Sequence, residues 1–168
     1  MLGPNILPNI QQVNIHEVLE HVRELVRVEV GEGLCIKHDY DPSLPDLQAD
    51  RDMLLQSILN IVRNAAQALE NDGKITLRTR IRRNFNIGSV KHRLVARIEV
   101  IDNGPGINEE LRKHIFYPMI TGRSDGSGLG LSIAQALISR HQGLIECNSQ
   151  PGKTVFTILL PLDGKHEP

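Results

Sequence analysis

The sequence predicts a two-layer α/β sandwich, in which a mixed, mostly antiparallel sheet carries helices on one face. Three observations predict it. Stretches with apolar residues at helical spacing are interspersed with stretches of apolar–polar alternation. Their order is helix, strand, helix, two strands, a polar loop, helix, two strands. The later strands follow one another in pairs across turn-forming residues, so they read as antiparallel hairpins packed under the helices. A chain of 168 residues is long enough for one such domain with a real core.

Each element has its own signal. The first twelve residues hold two prolines and no periodicity, and residues 1–13 read as a linker, the end of a piece of something longer. Ile15 to Val30 is expected to be a helix, with Ile15, Val18, Leu19, Val22, Leu25, Val26 and Val30 on one face. Asn14 is its N-cap, and Glu17 completes a variant capping box. Leu34–His38 is a short strand candidate, and the proline-punctuated residues 40–47 form a connector. Ala49 to Leu69 carries the strongest helix pattern, capped by Asp50 and stopped near Gly73. Its apolar side is Leu54, Ile58, Ile61, Val62, Ala65 and Leu69. A second stripe of amides, Gln56, Asn60, Asn64 and Gln67, follows the same period and needs partners wherever it is buried. Lys74–Arg82 alternates as a half-exposed strand, 83–93 reads as a hairpin loop, and Leu94–Ile101 is the next strand. Glu109–Ile115 is a short helix candidate. Gly130–His141 is a helix closed by Gly143 as a C-cap glycine. Leu144–Asn148 and Thr154–Leu160 are the last two strands, and residues 163–168 form a tail.

Composition excludes little but orders the options. A formal net charge of −1 gives no reason to expect a nucleic-acid or membrane surface. Nothing in the chain approaches the length of a membrane-spanning apolar run or the layout of a signal peptide. Cys35 and Cys147 match no metal spacing and read as reduced thiols in a cytoplasmic protein.

Asp102 to Leu131 is the most informative stretch. It opens on a carboxylate at a strand's end followed by Gly104 and Gly106, which let the backbone pass close to a ligand. It closes on Gly126, Gly128 and Gly130 leading into a helix, where amides and the dipole suit a phosphate. This run is not in the parallel unit of the dinucleotide fingerprint, and no GxxxxGK[ST] run exists, so neither a Rossmann nor a P-loop reading applies.

Taken together, five motifs in order resemble the catalytic ATP-binding domain of sensor histidine kinases. That domain is one branch of the ATPase group shared with gyrase, heat-shock chaperone and mismatch-repair proteins. The resemblance spans roughly 14–162. LLQSILNIVRNAAQAL (54–69) resembles the asparagine box, and DNGPGI (102–107) the first glycine box. FYP (116–118) resembles the phenylalanine box, GSGLGL (126–131) the second glycine box and GKTVF (152–156) the third. The segments DYDPSLP (39–45), NIVRNAAQAL (60–69) and FYPMITGR (116–123) are similar to nitrogen-regulation kinases of the NtrB type. The implied fold is the Bergerat ATP-binding fold.

The resemblance implies a role for each matching residue. Asp102 would accept a hydrogen bond from the adenine amino group, and a carboxylate there disfavours guanine, which offers a carbonyl instead. Gly104, Gly106 and Ile107 would line the base pocket. Asn64 would be the protein ligand of Mg2+, an ion that takes oxygen donors. Asn60 would touch a phosphate or its water, with Arg63 and Gln67 lining the rim. Gly126, Ser127, Gly128, Leu129, Gly130 and Leu131 would cradle the triphosphate. Phe116, with Tyr117 and Pro118, would sit in a lid coupling nucleotide to the phosphoacceptor domain. Arg123 would reach the γ-phosphate or be a solvated lid residue. Thr154 would contact the base side through water.

The chain has seven histidines, and none has the surroundings of a phosphoacceptor. His16 starts a helix, but no proline and helical hairpin follow it. The acceptor is therefore expected on a separate phosphoacceptor and dimerisation domain outside this chain. The implied activity is transfer of the γ-phosphoryl group of Mg-ATP to that histidine. The implied partners are a response regulator of the NtrC type and the PII signal protein. The isolated domain would be a monomer and the parent kinase a dimer. Two rivals remain open. One is a module that binds nucleotide or regulator without transfer. The other is an ATP hydrolase, which needs a general-base glutamate on the long helix, where Gln56 and Asn60 stand.

Overall fold

The computed structural model of the chain describes residues 7–107, 109–112 and 130–163. Its elements are β1 (Gln11–Val13), α1 (Ile15–Val30), β2 (Leu34–Asp39), β3 (Leu47–Ala49), α2 (Arg51–Ala68), β4 (Gly73–Ile87), β5 (Val90–Asp102), α3 (Glu109–Arg112), α4 (Gly130–Ser139), β6 (Leu144–Gln150) and β7 (Lys153–Pro161). A five-stranded sheet runs in the order β2-β4-β5-β7-β6. Only β2 and β4 are parallel; every other neighbouring pair is antiparallel. The predicted sandwich is the observed one. Helix α2 packs against both α1 and α4, so it is the middle of the helical layer.

The core lies between that layer and the sheet. Val18, Leu19 and Val22 of α1 and Leu54, Ile58, Ile61 and Val62 of α2 meet Ile75, Leu77, Ile98, Val100, Phe156 and Ile158 of the strands. These are the alternate strand positions and the helical stripes that the apolar pattern marks. Their burial removes them from water and is the dominant favourable contribution to the fold.

Both long helices start where the caps are expected. The Asn14 side chain accepts the His16 N–H at 3.0 Å. Glu17 does not return to the cap; its carboxylate takes two bonds from Arg51 instead, which ties α1 to α2. Asp50 accepts the Met53 N–H at 3.1 Å and the Asn9 N–H at 2.8 Å. His141 clamps the same corner: its Nε2 accepts the Asp50 N–H at 3.0 Å and its Nδ1 lies 2.8 Å from the Leu137 carbonyl. A ring accepting on Nε2 donates from Nδ1, so this histidine is a structural bridge.

Four further local expectations change. Residues 83–93 are not a loop: β4 reaches Ile87, β5 begins at Val90, and the ladder continues to Ile87 opposite Val90. Polar residues here mask the alternation, and Ile87, Val95 and Leu159 form a small second core that holds the extension. Part of the stretch read as a linker is also in the fold, because Gln11–Val13 pairs with Leu47–Ala49 and Val13 is buried. Three residues are too few to show a period. Gly73 does not stop α2, which ends at Ala68; Glu70 and Asn71 make the left-handed exit and Gly73 opens β4. Gly143 is not a left-handed cap either. Gln142 takes the positive φ of 60°, while a Cβ at Gly143 would stand 2.5 Å from the Leu159 carbonyl oxygen, so the glycine serves close approach of α4 to the sheet.

Candidate functional site

The site begins with a row of four residues across the sheet. Ile75 on β4 is opposite Asp102 on β5, Asp102 is opposite Thr154 on β7, and Thr154 is opposite Ser149 on β6. Asp102 is 4% exposed and Thr154 3%. The Asp102 Oδ1 accepts the Gly104 N–H at 2.9 Å. Its Oδ2 has no partner among the described residues. Burial pushes the Asp102 carboxyl above its ordinary range, and the Gly104 N–H counters this only in part. A buried acceptor with an unused oxygen is suited to a ligand that brings its own N–H.

The glycine loop beside it is pinned at both ends. Asn103 exchanges bonds with Lys74: its Oδ1 accepts the Lys74 N–H at 2.9 Å, and its N–H reaches the Lys74 carbonyl at 3.3 Å. The Gly104 carbonyl accepts the Gly152 N–H at 2.9 Å. The Ile107 N–H donates to Ser149 Oγ at 2.8 Å, and Ser149 Oγ is 2.7 Å from Thr154 Oγ1. Gly106 has φ 91°, and a Cβ there would stand 3.0 Å from the Gln150 backbone; at Gly104 it would crowd Asp102 Oδ1 and Leu69. Both glycines are thus required by the loop's own packing.

The other wall is α2. Asn60 is half-buried, and its Nδ2 donates to the carbonyl of Gly130, the first residue of α4, at 3.3 Å. Asn64 is one turn further along and also half-buried, whereas Gln56 and Gln67 are exposed. The amide stripe therefore divides into two inner and two outer members. Leu69, at the end of α2, abuts Gly104. At 1.5 Å per residue, Asn60 and Leu69 are roughly 13 Å apart along the helix, the scale of an extended nucleoside triphosphate. Arg63 forms an ion pair with Glu29 of α1. Leu131 is buried in the core and a Cβ at Gly130 would meet nothing within 4 Å.

Phe116, Tyr117, Pro118, Arg123, Gly126, Ser127, Gly128 and Leu129 lie outside the described residues. Ser149, Asn103 and Leu69 are site residues that sequence reasoning missed as such. Ser149 carries no local motif signal; only the register of β6 against β7 brings it to Thr154. Among the described residues no group of three or more His, Cys, Asp and Glu side chains could hold a metal ion, and no helix is long and apolar enough to cross a membrane.

Residues 49–164 match the family model described as histidine kinase-, DNA gyrase B- and HSP90-like ATPase. This chain belongs to that ATPase family. Within it, the chain is 50% identical over 164 residues to the sensory histidine kinase/phosphatase NtrB of Vibrio alginolyticus. It is 43% identical to the NtrB of Rhodobacter capsulatus. It covers 96% of itself and 47% of the former, 94% and 45% of the latter, so it spans about half the length of these relatives. Among solved structures it superposes on full-length ShkA in complex with AMPPNP with a TM-score of 0.76, 27% identity, and coverage of 97% of this chain and 33% of that one. The nucleotide-free catalytic domain of histidine kinase ThkA gives 0.74 and 27%, with 92% and 96% covered. The domain is thus a histidine-kinase-type ATPase domain with an NtrB-like sequence.

The other described histidines each have a neighbour in the chain; His21 Nδ1 lies 3.2 Å from Arg51 Nη2. The His16 Nε2 is 2.8 Å from Thr79 Oγ1 and its ring stacks on Tyr40. Burial lowers its pKa, opposed by the Asp41 and Glu20 carboxylates. His38 stacks on the other contact of Tyr40, and His92 sits 3.1 Å from Asp163. His114 and His166 are not among the described residues.

Proposed function

We propose that this domain is the catalytic part of a two-component sensor histidine kinase. It binds Mg-ATP and delivers the γ-phosphoryl group to a histidine on a separate phosphoacceptor domain. The observation that carries this reading is the pairing of the two walls: a buried Asp102 with an unused oxygen at one end, and the inner amides Asn60 and Asn64 beside the start of α4 at the other. The first suits the adenine amino group, and the second suits phosphates with a hard cation.

The donor set fits Mg2+ of the kind that keeps most ligands from phosphate and water. Asn64 offers a neutral carbonyl oxygen on the half-buried face of α2, and Asn60 holds the first turn of α4 through Gly130. When bound, the ion neutralises charge on the phosphates. The chain's own residues do the rest: Asp102 orients the base, Gly104 and Gly106 admit it, and the α2 and α4 faces align the phosphate chain toward the incoming imidazole. In phosphoryl transfer, positioning and charge neutralisation are the main protein contributions. Phe116, Arg123 and residues 126–129 would complete the lid and phosphate side.

The half-identity to NtrB supports a finer reading. The parent protein is a dimeric, cytoplasmic nitrogen-regulation kinase, the residues before β1 lead from its phosphoacceptor domain, and β1 through residue 162 form the catalytic domain. Its partners are an NtrC-type response regulator and the PII signal protein. The test is γ-labelled ATP. The chain alone should give no acid-labile phosphoprotein, and adding a matching phosphoacceptor domain should produce it on that domain. Self-labelling at His16, or steady ATP hydrolysis without acceptor, would overturn the kinase reading, the latter in favour of a hydrolase.

A further inference from the structure

We propose that His141 is a positioning residue that holds α4 in register on α2 and so fixes where the phosphate end of the site begins. The inference rests on the ATP reading above and concerns a residue which that reading does not use. The Asp50 N–H can only donate, so at 3.0 Å the His141 Nε2 is an unprotonated acceptor. The Leu137 carbonyl can only accept, so Nδ1 carries the proton across 2.8 Å. One neutral form of the ring satisfies both bonds, and the ring is buried. The Nδ1 bond ties it to the last turn of α4, and Nε2 reaches the residue that caps α2. Asp50 is itself held, since its carboxylate accepts the Met53 and Asn9 N–H groups.

A second polar contact joins the same helices at their other ends. Asn60, ten residues beyond Asp50, bonds the carbonyl of Gly130 at 3.3 Å, and Gly130 lies eleven residues before His141. The helices therefore run antiparallel, and at 1.5 Å per residue the two pins are roughly 15 to 17 Å apart on either helix. Between the pins the packing is apolar: Leu131, Ala134 and Ile138 of α4 share the core with Leu54, Ile58 and Ile61 of α2. Burial of that kind is non-directional; it selects the face of a helix but tolerates sliding and rotation. Two directional bonds at matched spacing remove that freedom. Under the ATP reading the register matters at one end only. The start of α4 and the Asn60–Asn64 face of α2 align the phosphates, whereas the base lies at Asp102 on the sheet. His141 is a helix length from the phosphates and acts through α4, not by contact.

The experiment is an NMR titration of the full chain with Mg-ATP and with adenosine, which carries the base and no phosphate. His141→Leu removes the acceptor and should weaken Mg-ATP by about tenfold, as a sub-ångström displacement can, while adenosine binds as it does to wild type. His141→Gln places an amide oxygen near the Nε2 position and should regain most of the Mg-ATP affinity. His141→Asn, whose oxygen falls short of Asp50, should show the same split as His141→Leu and serves if that variant does not fold. Equal losses for both ligands would mean that the ring only supports the fold, and would overturn the proposal. So would unchanged Mg-ATP affinity in His141→Leu, a His141→Gln chain no better than His141→Leu, or the failure of all three variants to fold. A wild-type chain that binds neither ligand would instead bring down the ATP reading itself, and this inference with it.

Discussion

The two ends of the site are built differently. The end at Asp102 is made of strand termini and a glycine loop, locked by bonds from Lys74, Gly104, Ile107, Gly152 and Ser149. The end at Asn60 and Asn64 is the face of a helix, where Asn60 bonds the Gly130 carbonyl at the start of α4. The first is shaped by the chain's own bonds, and under the proposed function it is where a rigid base would be told from its analogues. The second offers side chains on a scaffold, which suits a flexible phosphate chain with its own ion. Preorganisation is concentrated where discrimination is needed.

This contrast can be broken at either end. The largest effect is expected for Asn64→Ala, which should lower phosphotransfer to an added phosphoacceptor domain on the order of 100-fold, with little change in melting temperature, since Asn64 is outside the core. Unchanged transfer would remove Asn64 as the metal ligand. Asp102→Asn should weaken ATP by at least about tenfold, the range for a hydrogen bond to a charged group. It should also raise the melting temperature of the free domain at neutral pH, because it removes a carboxylate whose ionised form is penalised by burial. A drop in both would show that the charge is structural.

The pH dependence follows from the same group. The folded pKa of Asp102 is raised, so the penalty on the folded state is present above that pKa and relieved as pH falls through it. ATP binding has the opposite sign: it needs the ionised acceptor and should weaken as pH falls through the raised pKa, and Asp102→Asn should flatten that limb of the titration. A smaller effect is expected for Asn60→Ala, a few-fold loss in transfer from a loosened α4 start. Smallest is Arg63→Ala, which should leave ATP affinity unchanged in a titration and cost at most about 1 kcal/mol of stability, as an exposed ion pair does. A clear affinity loss would return Arg63 to the rim.

Much of this was readable in advance because the relevant signals are local. The helical stripes of 15–30 and 51–68, the caps Asn14 and Asp50, and Asp102 at a strand's end each depend on neighbours a few residues away. What was misread depends on distant partners. Residues 83–93 are polar enough to pass for a loop, yet a long ladder and a small second core keep them extended. Gly143 follows a helix as a cap glycine would, yet its role is set by a carbonyl on β7. Arg63 is about 60° around the helix from Asn60 and about 100° from Asn64, so spacing alone does not say which side it serves, and only the placement of α1 shows that it meets Glu29.

From residue types and spacing alone come the fold class, the family, and the identity of the base and metal candidates, since these rest on periodicity and on motifs in order. The tertiary structure decided which members of the amide stripe face inward and that Asp102 keeps one oxygen without a partner among the described residues. It also decided that Ser149, five residues before Thr154 in the chain, is its hydrogen-bond partner across the sheet. Strand register is a pairing between segments far apart in sequence or folded back on each other, and no spacing within one segment encodes which hydroxyl will stand beside which.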